Sequence, residues 1–193
     1  MSSRNDEIKE AIKDSSHDFV NIVWPIVKDR FGGGTIIPVE ITTKYEFAKE
    51  LDMLAGIDAW HILENRMGLR GIASRVQWGR PYNTFTIRIA LASGHDTEYQ
   101  KRLYALNNPD LNLIYPHITC QAYLDKKGGN LLSAAIIKTK DLMSIFNECY
   151  NLFKPQKAPG GNMFKAIPWL LFEAMEEQEL IEFYSYYQSE EYH

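Results

Sequence analysis

Between Asp52 and Arg88 the chain reads DMLAGIDAWHILENRMGLRGIASRVQWGRPYNTFTIR, three runs of strand-forming residues separated by turn-forming ones. β-Branched and aromatic side chains suit a pleated surface, whereas Asn, Gly and Pro interrupt it. The pattern predicts strands over about 56–63, 70–78 and 83–92, with turns at Asn65–Gly68 and Gly79–Asn83. Read together, the three make a meander that the rest of the chain holds and covers.

The flanking segments supply that cover. Ile8, Ile12, Phe19, Val20 and Val23 recur at helical spacing over residues 5–24, and Pro25 is placed to kink or end the helix. Gly32-Gly33-Gly34 lacks the GxxxxGK[ST] spacing of a phosphate loop and reads as a turn. Thr35–Ile41 is a short extended piece that Pro38 confines to an edge. Thr42 or Thr43 caps a helix over 44–55, with Phe47, Leu51 and Leu54 on one face. Ser93-Gly-His-Asp96 fits a capping box for a helix to Asn107, where Asn-Pro-Asp breaks it. Two longer strands, 112–125 and 130–139, flank Lys126–Asn130 as a hairpin. A helix from Thr139 or Asp141 to Phe153 follows, then the loop Lys154–Asn162. The C-terminal segment 163–193 reads as helical, chiefly over 168–187, with Pro168 in its first turn. The expected fold is a single α/β domain over 1–193, with its core over about 5–153. Its mixed central sheet is a three-stranded meander plus a hairpin, flanked by helices.

Composition narrows the function. No apolar run approaches the roughly 20 residues that span a bilayer, so no membrane partner is expected. The polar N-terminus is unlike a signal peptide, and two cysteines, Cys120 and Cys149, are too few for a disulfide framework. A cytoplasmic protein with reduced thiols is the expectation. The net charge is −4, yet residues 60–140 carry eleven Lys and Arg against five acids, while seven acids and no Lys or Arg follow from Glu173. A basic middle can face phosphates although the total is negative. The sequence has no GxSxG, and no zinc-ligand spacing.

In a strand, residues two apart share a face. Asp58 and Trp60 therefore point one way, as do Ala73, Arg75 and Gln77 on the next strand. If those strands pair, Asp58, Arg75 and Gln77 converge. A carboxylate, a guanidinium and an amide together can hold a phosphodiester, with a divalent metal on the carboxylate. Arg88, at the end of an alternating run, reaches either a phosphate or solvent. Plainer readings stand beside these: Asp58 as a solvent-facing turn residue, Arg75 and Gln77 as exposed groups of an amphipathic strand. His95, Asp96 and Glu98 read as a helix cap rather than as metal ligands. Tyr115, His117, Gln121 and Tyr123 give a polar and aromatic strand face that either stacks on unpaired bases or meets solvent.

GID58 on one strand and Arg75-Val76-Gln77 on the next resemble the PD-(D/E)XK nuclease superfamily, the restriction-endonuclease-like fold. Its core is a helix, a three-stranded meander carrying Asp and then (D/E)xK, a helix and a further strand. The resemblance covers roughly residues 1–140. It implies Mg²⁺-dependent hydrolysis of nucleic-acid phosphodiesters by a nuclease of bacterial or mobile-element type. Asp58 would be the catalytic metal ligand, Gln77 would stand in the lysine's place, and Arg75 and Arg88 would bind phosphate. Ile57 stands where Pro is usual, and the second acid is missing from its position. Asp52, Glu40, Glu64 or an acid of the first helix would have to supply it. The alternative is a non-catalytic interaction module, a regulator or inhibitor on the same scaffold. It would use the acidic aromatic tail FYSYYQSEEYH, with Phe183, Tyr184, Tyr186, Tyr187 and Tyr192, for a protein partner or a homodimer. A third reading, a small-molecule domain beneath Gly32–Gly34, has no cofactor motif behind it.

Overall fold

The structure is a computed structural model that describes residues 4–39, 55–64, 68–158, 160–173 and 182–185. The expected helix over 44–55 lies, Ala55 apart, outside the described residues. Helix α1, Arg4–Asp18, opens into a π-helical turn, Phe19–Val23, and closes with one α turn, Trp24–Val27. Pro25 has no N–H to give the ladder, and the wider turn absorbs that loss. The inserted residue also rotates the following face by roughly 100° relative to the preceding one. Phe19, Val23, Trp24 and Val27 are accordingly buried, while Ile12, expected on the same face, is 47% exposed.

The main sheet has six strands in the order β1 (Thr35–Pro38), β2 (Ala59–Ile62), β3 (Leu69–Trp78), β5 (Ile118–Leu124), β6 (Leu131–Lys138) and β9 (Glu182–Ser185). All neighbours are antiparallel except β3 and β5, which run parallel. The second sheet orders β4 (Thr84–Ala90), β8 (Met163–Pro168) and β7 (Gln156–Lys157). The single α/β domain with a mixed sheet and helices is therefore present.

Its meander, however, sits one strand earlier than expected. β1, β2 and β3 form it, and β4 leaves to pair with β8. Gly79 and Asn83, both at positive φ, turn the chain off the sheet between β3 and β4. The hairpin β5–β6 is found where expected, though β5 begins only after Pro116. Of the C-terminal segment anticipated as helical over 163–193, Met163–Pro168 and Glu182–Ser185 are strands and Leu170–Glu173 is helical, while 174–181 and 186–193 lie outside the described residues. Pro168 ends β8 opposite Thr84, and the main-chain partner that β6 offers outweighs the helical pattern of the tail. Tyr186, Tyr187 and Tyr192 lie outside the described residues.

Helix α2, Glu98–Asn107, starts one motif later than the Ser93–Asp96 pattern suggests. Thr97 is the cap, and its side chain and that of Gln100 bond each other's backbone N–H reciprocally. Helix α3 covers Thr139–Glu148, beginning as anticipated and ending earlier, in a 3₁₀ turn at Tyr150–Leu152.

Period-two alternation divides the core. On one face of the main sheet Ile72, Val76, Cys120, Ala122 and Ala134 pack against Phe19, Val23 and Val27. On the other, Tyr123, Ala135 and Ile137 meet Phe85 and Ile87 of β4, Leu142, Ile145 and Phe146 of α3, and Ile167 of β8. This second layer overturns the solvent-facing reading of Gln121 and Tyr123, which are 2% and 0% exposed. It equally removes them from any stack on unpaired bases. Cys120 and Cys149 are both free thiols, and burial pushes Cys120 up to about 12.

One buried acid ties three elements together. Asp18, at the end of α1, accepts from Trp78 Nε1 at 2.8 Å and from the Gly128 N–H in the β5–β6 turn at 3.0 Å. Asp18→Ala leaves that indole N–H unpaired in a half-buried site, and a loss of about 2 kcal/mol in urea unfolding is expected.

Candidate functional site

The site forms where β2 and β3 part. β2 pairs with β3 only over Leu69–Ile72, so from Ala73 onward that edge of β3 has no strand beside it among the described residues. Two side chains take its exposed N–H groups. Asp58 Oδ2 accepts from the Ser74 N–H at 2.5 Å, and Ser15 Oγ from the Val76 N–H at 3.0 Å. Asp58 is held there through its own backbone, donating to Ile72 O at 2.9 Å and accepting from Val39 N at 2.9 Å. Gly71 permits this: a Cβ at that position would meet Ile57 Cδ1 at 2.8 Å, so the absence of a side chain lets Ile57 seat against β3.

A cleft of about 620 Å³ opens along this edge, between α1, α2 and β4. Asp58, Arg75, Gln77 and Arg88, the four residues singled out from sequence, all line it. The other wall brings in Asp96, Glu98, Lys101 and Arg102 from α2 and the loop before it, and Gln121 from β5. His95 is not among the lining residues. Of the acids considered as a second ligand, Glu64 lies outside the cleft, and Glu40 and Asp52 fall outside the described residues. Asp14 of α1 is engaged by Lys127 and Asp18 by Trp78.

Glu98, read from sequence as part of a helix cap, stands instead at the centre of the site. Its Oε1 lies 3.3 Å from Arg88 Nη1 and its Oε2 3.9 Å from Arg75 Nη2. Arg75 is steadied by its Nη1, which donates to Thr86 O of β4 at 3.3 Å. Arg102, 8% exposed, donates from Nη2 to Gly56 O at 3.3 Å. Burial lowers the pKa of Arg102, while Glu98 and then Asp58 favour its charged form. For Glu98, burial alone would raise the carboxyl, but Arg75, Arg88, Arg102 and Lys101 outweigh it and hold it below its ordinary value. The sequence did carry a signal: Glu98 and Arg102, four apart, share one face of α2.

The depressed Glu98 carboxyl has a sign and a window. Its stabilisation is fully present above the unfolded value of about 4.3 and is lost as pH falls through the lower folded value. Urea midpoints measured from pH 6 down to pH 3 are expected to fall more steeply for the native chain than for Glu98→Gln.

No family model, no curated protein and no solved structure matches this chain. Its chemistry rests on its own geometry.

That geometry does not fit Mg²⁺. The ion demands near-octahedral oxygen ligands at about 2.0–2.1 Å. Asp58 Oδ2 is bonded to a backbone N–H, and both oxygens of Glu98 face guanidinium groups. The four side-chain cations Arg75, Arg88, Lys101 and Arg102 line the same cleft. Among the described residues no group of three His, Cys, Asp or Glu converges to hold one. What the cleft offers instead is a set of donors, guanidinium forks, amides and hydroxyls, with Glu98 as the carboxylate paired to the arginines and Asp58 and Asp96 also on its walls.

Among the described residues no helix is long and apolar enough to cross a membrane.

Proposed function

We propose that this cleft binds nucleic-acid phosphate without cleaving it, on a scaffold related to the PD-(D/E)XK nucleases. The observation that carries the reading is the pairing of Arg75 and Arg88 with the carboxylate of Glu98, with buried Arg102 on the same wall, at the point where β2 and β3 separate. Guanidinium groups match phosphate geometry, and here they are held on rigid elements and partly shielded from water. The element order supports the kinship: a helix, a three-stranded meander and, after the intervening β4, a helix and a strand parallel to the third. Asp58 immediately precedes the second of those strands, and Arg75-Val76-Gln77 lies on the third, in keeping with the superfamily's motif.

The same residues support loss of hydrolysis. Gln77, in place of the lysine, has no charge with which to activate a water. Asp58 serves the free edge of β3, and Glu98 serves the arginines, so neither is disposed to coordinate a metal. Arg75 and Arg88 are the proposed phosphate contacts, with Arg102 behind them.

Fluorescence anisotropy on single- and double-stranded DNA and RNA tests the binding. About three phosphate contacts predict a slope of log K on log salt near −2 for single strands. A cleavage assay with Mg²⁺ or Mn²⁺ tests the rest: the native chain and Asp58→Ala are expected to be equally inert. Metal-dependent cleavage that Asp58→Ala abolishes would overturn the non-catalytic reading, and absence of salt-sensitive binding would overturn the nucleic-acid reading.

A further inference from the structure

We infer that the cleft selects the terminal phosphomonoester of a nucleic-acid strand over its interior phosphodiesters, because the incoming group must displace Glu98 from Arg75 and Arg88. This rests on the nucleic-acid reading above and names which part of the strand the site takes.

The first observation is the looseness of the resident pairs. Contacts of 3.3 and 3.9 Å are longer than the 2.7–2.9 Å of a charge-assisted hydrogen bond. Glu98 neutralises the arginines without saturating their donors. Its carboxylate is the internal stand-in for the ligand's anionic group.

The second observation is a pair of buried donors with no hydrogen-bond partner among the described residues, Arg102 Nε and Gln121 Nε2. Both side chains are more than nine-tenths buried and both line the cleft, with the two nitrogens themselves shut off from solvent. Gln121 is the direct neighbour of Arg75 across the parallel β3–β5 pair. Buried donors left unpaired are costly, so a ligand that supplies acceptors there gains what the empty fold forgoes.

Charge and oxygen count then distinguish the two kinds of phosphate. An interior diester carries one negative charge, the same as Glu98, so exchanging one for the other changes the Coulomb balance little. A terminal monoester carries about −1.5 to −2 at neutral pH and has three free oxygens instead of two. It out-competes Glu98 for Arg75 and Arg88, and its spare oxygen meets Arg102 and Gln121 only once Glu98 has moved aside. Size agrees with this choice. A cleft of about 620 Å³ accommodates a nucleotide-sized group.

The test uses the full chain and single-stranded oligonucleotides of one sequence carrying a 5′-phosphate, a 3′-phosphate or hydroxyls at both ends, in buffer with chelator. Inorganic phosphate serves as competitor. The native chain is expected to bind at least one phosphorylated end about tenfold more tightly than the hydroxyl-ended strand, with inorganic phosphate erasing the difference. In Glu98→Gln the preference is expected to shrink to about threefold or less, mainly because the hydroxyl-ended strand binds better. If Glu98→Gln fails to fold by circular dichroism, Gln121→Leu carries the same test, with at least a threefold loss of preference expected. Equal, salt-sensitive binding of all three strands by the native chain overturns end selection and leaves nucleic-acid binding standing. A preference unchanged in Glu98→Gln overturns the displacement of Glu98. No binding of any strand removes the nucleic-acid reading itself.

Discussion

Replacing Arg75 and Arg88 together by glutamine is expected to weaken single-stranded DNA binding by about 100-fold or more at low salt. Each side chain supplies a charge-assisted contact worth roughly 1.5–3 kcal/mol, and two such losses give about 3 kcal/mol at the lower end. A factor of ten costs about 1.4 kcal/mol, which sets the 100-fold floor. The salt slope should flatten by about 1.4, from two lost contacts at about 0.7 each. Both side chains are partly exposed, and glutamine keeps a donor near Glu98, so the fold should survive with a small change in thermal midpoint. A double variant that binds with unchanged affinity and slope would move the nucleic-acid surface away from this cleft.

Phe146→Ala is the substitution expected to cost most in stability. Phe146 is fully buried on α3, edge-on to Tyr99 at 5.0 Å and to Tyr150 at 5.4 Å. Truncating a buried phenylalanine to alanine costs about 3–5 kcal/mol through lost transfer energy and the cavity left behind. For a domain of this size that corresponds to roughly 10 °C in Tm. Phe146 sits in the layer that joins α3, β4 and β8 to the main sheet. Hydrogen exchange should therefore accelerate in β4 and β8 before it does in β5. A loss under 1 kcal/mol would mean that the aromatic cluster closes over the gap.

Local patterning made part of this structure legible. Alternation alone placed Arg75 and Gln77 on one face of one strand, and the strand before it delivered Asp58 to the same cleft. Partner choice was not legible. The run 84–90 reads as a strand whether it pairs with β3 or with β8, because a strand's own residues do not name its neighbour. The tail shows the same gap: Glu182–Ser185 carries a helical pattern but finds the unpaired main chain of β6. Glu98 and Arg102 were hidden for a related reason. Their spacing marks a helix face, yet what that face meets is decided by the crossover that makes β3 and β5 parallel. Gln121 and Tyr123 looked outward because a second sheet cannot be inferred from alternation in the first.

The seating of β9 on β6 has a consequence for handling the chain. β6 reads LLSAAIIK, and β9 covers its outer rim. A truncated chain that stops short of Glu182 would present that rim bare, a flat apolar template onto which other molecules can stack main chain to main chain. At its opposite margin the sheet protects itself with a four-residue strand that finishes in proline. On this side the protection is lent by the C-terminal segment, so shortening the chain is expected to promote fibrous self-association.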